Sequence, residues 1–167
     1  PYDFSSARVA VNNSIALISE KNKETLGWFE KNISQQCLVV PYLKTELSAD
    51  LDVFLIPVNN TTWIVTRFPE GSHEYQVVEY AADRLRDSDQ TVVYLPGLKP
   101  IVHDDVNCLP NYANALIVNG VAVVPQYNVP EDEEAIKVFS DLGFETHGVF
   151  AGTIVESNAV FHCISRL

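Results

Sequence analysis

The chain has 167 residues, of which 47% are hydrophobic and 20% are charged, and its 22 acidic and 11 basic side chains give a formal net charge of -11. This composition fits one globular domain with a real core and excludes a disordered, collagen-like or coiled-coil chain. Because the few cations are scattered and no apolar run approaches the roughly 18 residues of a membrane span, we expect neither nucleic acid nor a membrane as a partner.

Hydrophobic periodicity divides the chain into copies of one unit: a strand, a turn that begins with Asn, a second strand, an amphipathic helix and a third strand. The first copy has predicted strands at 8–11, 14–18 and 37–40, with a helix over 22–31. The second has strands at 53–56, 63–65 and 91–95, with a helix over 73–86. The third has strands at 115–118, 121–124 and 146–150, with a helix over 130–142.

The turns and helix ends support this division. Asn and Gly tolerate the positive φ that a type I′ hairpin turn requires. We therefore predict such turns at three corresponding places: Asn12-Asn13, Asn59-Asn60 and Asn119-Gly120. The predicted third helix has Pro130 at its start, acidic residues in its first turn and Gly143 at its end, which are typical helix boundaries.

Each copy is a ββαβ unit, and such a unit cannot bury its own apolar face, so the copies are expected to pack side by side around a shared axis. The predicted fold class is therefore α/β, in a single domain over residues 1–167. The units span about 7–42, 50–96 and 112–151, and a fourth is predicted to begin near 158 with a strand that runs to 164.

Two local motifs accompany the repeat: Asn-Tyr-Ala-Asn at 111–114 and Phe-His-Cys-Ile at 161–164. Together they resemble the agmatine deiminase and bacterial peptidylarginine deiminase group of the pentein superfamily. Penteins are five-bladed α/β propellers of ββαβ units with an active site at the central axis. The resemblance implies a pentein-like propeller to which this chain contributes about three units and a strand. Because that is too little to close a ring, we expect an incomplete domain, completed by other chain segments or by a partner.

The resemblance also implies a chemistry. Cys163 occupies the position of the nucleophile that attacks the guanidinium carbon of a small molecule or of an arginine side chain, with neither metal nor cofactor. Asp52 matches a guanidinium-binding carboxylate, and Asn114 matches an Asn beside the substrate. A buried, unreactive thiol is the alternative for Cys163, and a purely structural turn residue is the alternative for Asn114. Because neighbouring residues of a strand point to opposite faces, we do not expect His162 to act as the base.

The sequence departs from the family pattern Gly-His-Ile/Val-Asp at 49–52, where it reads Ala-Asp-Leu-Asp. Asp50 stands in place of the family's catalytic His, and we leave open how far it acts as a base or binds the substrate. On a strand, Asp50 and Asp52 would face the same side. They would there either bind a guanidinium as a pair that shares a proton or be two exposed acids at the edge of the strand. The family's Arg-Asp-x-Gly-Pro segment is absent from this sequence.

Two functions follow from these observations. The first is a deiminase-like hydrolase domain for guanidino groups, impaired by the loss of the family His. The second is a catalytically inactive pentein-like module for binding or assembly. The stretch His103-Asp104-Asp105 offers metal-ligand side chains, but acidic loops of this kind are usually only solvated, and we predict no metal. The three cysteines are far apart in the sequence and form no CxxC pair, so they indicate no particular compartment.

Overall fold

The computed structural model describes residues 9–44, 49–103, 106–155 and 160–165. The strands of this part of the chain are β1 (Val9–Val11), β2 (Ile15–Ser19), β3 (Gln36–Val40), β4 (Leu55–Pro57), β5 (Thr62–Thr66), β6 (Thr91–Leu95), β7 (Ile101–His103), β8 (Val106–Cys108), β9 (Leu116–Val118), β10 (Val121–Gln126) and β11 (Glu145–Phe150). The helices are α1 (Leu26–Asn32), α2 (His73–Arg86), α3 (Glu131–Asp141) and α4 (Phe161–Ile164), and a 3₁₀ segment covers Glu20–Thr25. None of the described helices is both long enough and apolar enough to cross a bilayer.

The ββαβ order occurs three times in the described chain, as β1-β2-β3, β4-β5-β6 and β9-β10-β11. In each sheet the middle strand pairs antiparallel with the strand before it and parallel with the strand that follows the helix. The α/β fold class is thereby confirmed, whereas closure into a propeller stays a prediction. The strands β7 and β8 form a hairpin between the second and third sheets that the periodicity did not predict.

The helices follow from local sequence. At the start of α2, the Ser72 hydroxyl accepts a hydrogen bond from the Tyr75 N–H at 3.0 Å. The apolar face of this helix, formed by Val78, Ala81, Ala82 and Leu85, is buried. Helix α3 begins after Pro130 and is followed by Gly143, whose φ is +91°. The first helix begins later than predicted, at Leu26, because Asn22 has non-helical φ and ψ and its carbonyl accepts the Thr25 hydroxyl at 2.7 Å.

The hairpin turns differ from one another. Asn119 and Gly120 both have positive φ, as a type I′ turn requires. The Asn12-Asn13 and Asn59-Asn60 predictions are wrong, because none of these four residues has a positive φ. Their asparagines instead close the turn with side chains: the Asn12 carbonyl oxygen Oδ1 accepts the N–H groups of Ser14 and Ile15 at 2.9 and 2.8 Å.

Neighbouring units pack in the same way. Helix α2 contacts β3 of the preceding unit, and α3 contacts β6. The first strands lie together, since β1 contacts β4. A cavity of about 460 Å³ opens between these first strands, and its lining comes mainly from β1 and β4, with Ile117 of β9. Three successive units therefore face one cavity with their first strands.

Gly97, just after β6, illustrates how closely the backbone packs. A Cβ atom at Gly97 would collide with the carbonyl of Arg67, whereas one at Gly27 in α1 would meet nothing within 4 Å. We expect Gly97→Ala to lower the free energy of unfolding by about 1–3 kcal/mol or more through overpacking. The matched Gly27→Ala should raise it by about 0.4–1 kcal/mol. Urea denaturation measures both, and equal stability of the two variants would contradict this packing.

Candidate functional site

Asp52 lies in a tight turn and not on a strand. The N–H groups of Phe54 and Leu55 both donate to the Leu51 carbonyl, at 3.0 and 2.9 Å. The start of this segment is held by the Ser19 hydroxyl, which donates to the carbonyl of Ala49 at 3.0 Å. Asp52 is consequently 5% exposed. The same-face argument for Asp50 and Asp52 and the alternative of two exposed acids at a strand edge are both wrong for this reason, because strand alternation does not apply within a turn.

Asn114 occupies the corresponding position before β9. Its N–H donates to Oδ1 of Asn111 at 2.8 Å, and the side chain of Asn111 in turn donates to the Leu109 carbonyl at 3.1 Å. The hydroxyl of Tyr127 on the third sheet holds this turn by donating to the Asn111 carbonyl at 2.9 Å. Asn114 is 1% exposed. Asn114 therefore has the structural role in the turn that the sequence left open as an alternative. That role uses its backbone N–H, so the Asn114 side chain is available for other contacts.

The predicted strand over 158–164 is wrong where the structure describes it, because Phe161–Ile164 forms the short helix α4. Residues 156–159 lie outside the described residues. The Ile164 N–H donates to the Val160 carbonyl at 3.1 Å, and Val160 is buried among apolar side chains that include Ala151 and Val155. The apolar residues Val160, Phe161 and Ile164 have helical spacing, which is the signal that indicates a helix here.

These three segments meet around Cys163. The Asn114 amide nitrogen donates to the Cys163 sulfur at 3.0 Å, and its amide oxygen accepts the Cys163 N–H at 3.1 Å. The sulfur also lies 3.4 Å from Oδ2 of Asp52. The structure thus brings together three of the four predicted site residues, although their roles in binding and catalysis stay predictions.

Asp50, the fourth predicted site residue, is half-buried and lies two residues before Asp52. It has interactions of its own. Within the described chain, the side-chain hydrogen bonds of the Cys163 sulfur go to Asn114 and Asp52, so Asp50 is not part of that group of contacts. Its predicted share of base or binding work stays a prediction.

His162, which we did not expect to act as a base, also lies in this group of contacts. Its ring nitrogen Nδ1 is 2.7 Å from Oδ2 of Asp52, the same oxygen that faces the Cys163 sulfur. The argument from opposite strand faces fails because residues 161–164 are helical, and neighbouring side chains of a helix are separated by only about 100°. The backbone also holds this residue, since the His162 N–H donates to the Asn114 carbonyl at 3.1 Å.

The site shifts two pKa values. Burial, followed by the negative charge of Asp52, raises the pKa of the Cys163 thiol to about 12, even though Cys163 as a residue is exposed. The hydrogen bond to Asp52 raises the pKa of His162 above 6.5, against the opposing effect of burial. Before any ligand binds, the arrangement therefore favours the neutral form of the Cys163 thiol and the protonated form of His162.

One carboxylate oxygen of Asp52 is left without a partner. Oδ1 is buried and accepts no hydrogen bond from the described residues, whereas Oδ2 faces His162 and Cys163. A buried unpaired oxygen is unfavourable, and a ligand donor would remove that penalty. Asp52 and His162 line the 460 Å³ cavity between the first strands, so a ligand with N–H groups has a place to approach them.

No cluster of three or more His, Cys, Asp or Glu side chains suited to a metal ion occurs among the described residues. The weak candidate His103-Asp104-Asp105 cannot be compared with this result, because Asp104 and Asp105 lie outside the described residues. The arrangement around Cys163 consists of a thiol, an amide, a carboxylate and an imidazole, which are the groups of nucleophilic and acid–base chemistry.

Asn114→Ala tests the amide that joins the three segments. The change leaves the Cys163 N–H and the Asp52 carbonyl without their partner, and each unpaired buried group costs roughly 1–3 kcal/mol. We expect the free energy of unfolding to fall by at least roughly 1 kcal/mol. Asn13→Ala, at an exposed position, should change it by no more than about 0.5 kcal/mol. If urea denaturation gave the same stability for both variants, Asn114 would not join the segments in this way.

Asp52→Asn tests the pairing with His162. The substitution removes the charge that raises the His162 pKa and leaves the opposing effect of burial, so the pKa should fall when histidine signals are titrated by NMR. In the wild type the pair stabilises the fold fully below the unfolded pKa of about 6.5, and this contribution is lost as pH rises through the raised folded pKa. An unchanged His162 pKa in the variant would contradict the pairing.

Comparison with known proteins places this geometry in context. The family model of Porphyromonas-type peptidyl-arginine deiminases matches residues 38–166. That segment contains Asp52, Asn114, His162 and Cys163. No curated protein matches the chain significantly.

Solved structures match over nearly the whole chain. A C. jejuni agmatine deiminase is 18% identical with a TM-score of 0.81, over 98% of this chain and 54% of that one. An agmatine deiminase of Enterococcus faecalis is 17% identical with a TM-score of 0.81, over 95% and 55%. A DDAH from Pseudomonas aeruginosa is 13% identical with a TM-score of 0.56, over 92% and 51%. The chain therefore shares the α/β fold of these proteins and spans about half their length.

Proposed function

Because the chain belongs to the Porphyromonas-type peptidyl-arginine deiminase family, we propose that it is a deiminase-like domain that hydrolyses a guanidino group with Cys163 as nucleophile. The observation that supports this best is the meeting of Cys163, Asn114 and Asp52, which come from three separate segments of the chain, within 3.4 Å contacts. The family match supports a guanidino-group hydrolase, and the nucleophile and the substrate are our proposal.

In this proposal Asp52 binds the guanidinium. A guanidinium presents N–H donors in a plane, and a carboxylate is the acceptor that matches it. Asp52 lines the cavity between the first strands, and its buried Oδ1 has no hydrogen-bond partner among the described residues, so the carboxylate keeps an acceptor for a ligand. The ligand is then either a small guanidino compound or an arginine side chain. Further ββαβ units, from other segments or a partner, complete the surroundings of the site.

Asn114 orients the nucleophile. Its amide nitrogen donates to the sulfur and its oxygen accepts the Cys163 N–H, so the thiol is held on two sides beside the Asp52 carboxylate. The raised thiol pKa implies that Cys163 is neutral in the free protein. A bound guanidinium brings positive charge next to the sulfur, which lowers that pKa and favours the thiolate that attacks.

The reaction then proceeds in two steps. The Cys163 sulfur bonds to the guanidinium carbon, and one C–N bond breaks as an NH2 group takes up the thiol proton and leaves as ammonia. Water attacks the same carbon, the C–S bond breaks, and the thiol returns with release of a ureido product. The net change is hydrolysis of one C–N bond, for which no redox partner is needed.

The second candidate function is a catalytically inactive module for binding or assembly. Two observations favour it: Asp50 stands where the family has its catalytic His, and the thiol pKa of about 12 leaves little thiolate near neutral pH. In such a module Asp52 would still bind guanidinium groups, and Cys163 would only pack against Asn114.

Product formation distinguishes the two functions. The complete native protein is incubated with agmatine, free arginine and an arginine-containing peptide, and ureido product and ammonia are measured. For an active deiminase we expect product from at least one substrate, and Cys163→Ala should lower the rate by about a thousandfold or more. Cys37→Ala is the matched control, because this half-buried thiol lies on β3, and it should retain activity. Absence of product from the native protein would favour the inactive module.

A further inference from the structure

The site contains an imidazole that the proposed reaction has not used. Within the described chain, the side chains that contact Asp52 include one ionisable nitrogen, Nδ1 of His162, at 2.7 Å from Oδ2. The same Oδ2 lies 3.4 Å from the Cys163 sulfur. One oxygen atom therefore connects the histidine to the thiol, and the charge state of His162 must influence whether the thiol ionises.

We propose that His162, protonated and paired with Asp52, is the positioning residue that allows the Cys163 thiol to ionise beside that carboxylate. It acts through Asp52, and it fills the electrostatic role that Asp50 cannot fill. The inference concerns the proposed reaction and rests on the proposed nucleophile, but it can be tested on the thiol alone.

The argument is one of charge. If His162 were neutral, ionisation of Cys163 would place a thiolate 3.4 Å from an unneutralised carboxylate, with two negative charges side by side. A protonated His162, paired with the shared oxygen, neutralises the charge of the Asp52 carboxylate. The carboxylate, imidazole and thiolate together then carry a net charge of minus one after the thiol ionises, instead of minus two. Asp52 is buried and so limits screening by water on its side of the group, whereas the His162 side chain is 40% exposed.

The surroundings of His162 offer no competing charge among the residues that line the cavity. Asp52, from the turn before β4, and Cys163, from α4 itself, are the titratable groups that its described contacts bring near. Asp50 lies two residues before Asp52. The rest of the cavity lining is apolar and comes from Val9–Val11, from 55–58 and from Ile117. The hydrogen bond to Asp52 raises the pKa of His162, which favours the charged form of the imidazole.

His162→Asn separates charge from structure. The amide of asparagine reaches about as far as Nδ1, so a neutral donor to Oδ2 of Asp52 is retained while the titratable charge is removed. The rate of Cys163 alkylation by iodoacetamide, a neutral reagent, is measured from pH 5.5 to 9.5 for the wild type and the variant. Peptide mass spectrometry separates Cys163 from Cys37, whose rate should be the same in both proteins.

We expect wild-type Cys163 to react about tenfold faster or more than Cys163 of the variant at low pH, where His162 is charged, since an opposite charge lowers a thiol pKa by about one unit or more. The ratio should approach one as pH rises and His162 loses its proton. The wild-type profile alone should flatten near the pKa of His162, where loss of the imidazolium offsets the increase in thiolate with rising pH, and this tests the proposal even if the variant folds poorly.

A ratio that is the same at every pH, or a wild-type rate that rises with pH without flattening near the His162 pKa, would overturn the role of His162, because a merely structural contact has no pH dependence of this kind. Alkylation does not require turnover. If the ratio of alkylation rates depends on pH but no ureido product forms, the proposed function is rejected and the role of His162 is supported. If product forms but the ratio is constant, the proposed function is supported and the role of His162 is rejected.

Discussion

The buried side chain of Asn114 is the contact on which the site depends. Its amide nitrogen donates to the Cys163 sulfur and to the Asp52 carbonyl, at 3.0 and 3.3 Å, and its amide oxygen accepts the Cys163 N–H. A primary amide has two N–H donors and one carbonyl acceptor, so these contacts use all of its hydrogen-bonding groups. One buried amide therefore fixes two segments that lie 62 and 49 residues away along the chain.

This joint has an electrostatic consequence. Asn114 holds the Cys163 thiol next to the Asp52 carboxylate, where ionisation of the thiol is unfavourable. The hydrogen bond from the Asn114 amide lowers the thiol pKa, but burial and Asp52 together raise it further, and in our proposal the opposing positive charge comes from His162 or from a bound guanidinium. In the proposed function, a cationic substrate would add to the fraction of thiolate that the His162 imidazolium supports in the free protein.

The repeat explains why the site lies where it does. Asp52 and Asn114 both lie in turns that lead into the first strand of a unit, β4 and β9, and these first strands line the shared cavity together with β1. Packing similar units side by side brings equivalent turns to one place, so residues far apart in the chain converge without long loops. The chain spans about half the length of the solved structures it matches.

The sequence by itself determined the order of strands and helices within the three ββαβ units, because apolar alternation, helical spacing and the boundaries of α2 and α3 are local signals that the chain carries regardless of its neighbours. Together with the family resemblance, the sequence also predicted Cys163, Asp52 and Asn114 as site residues. Only the tertiary structure decided how these residues meet. The turn at Asp52 and the short helix α4 override the alternation expected of strands, since each is held by contacts with distant segments: Ser19 onto Ala49, and Asn114 onto His162 and Cys163. The partnership of His162 with Asp52 joins residues 110 positions apart, and no local pattern records a contact over that separation.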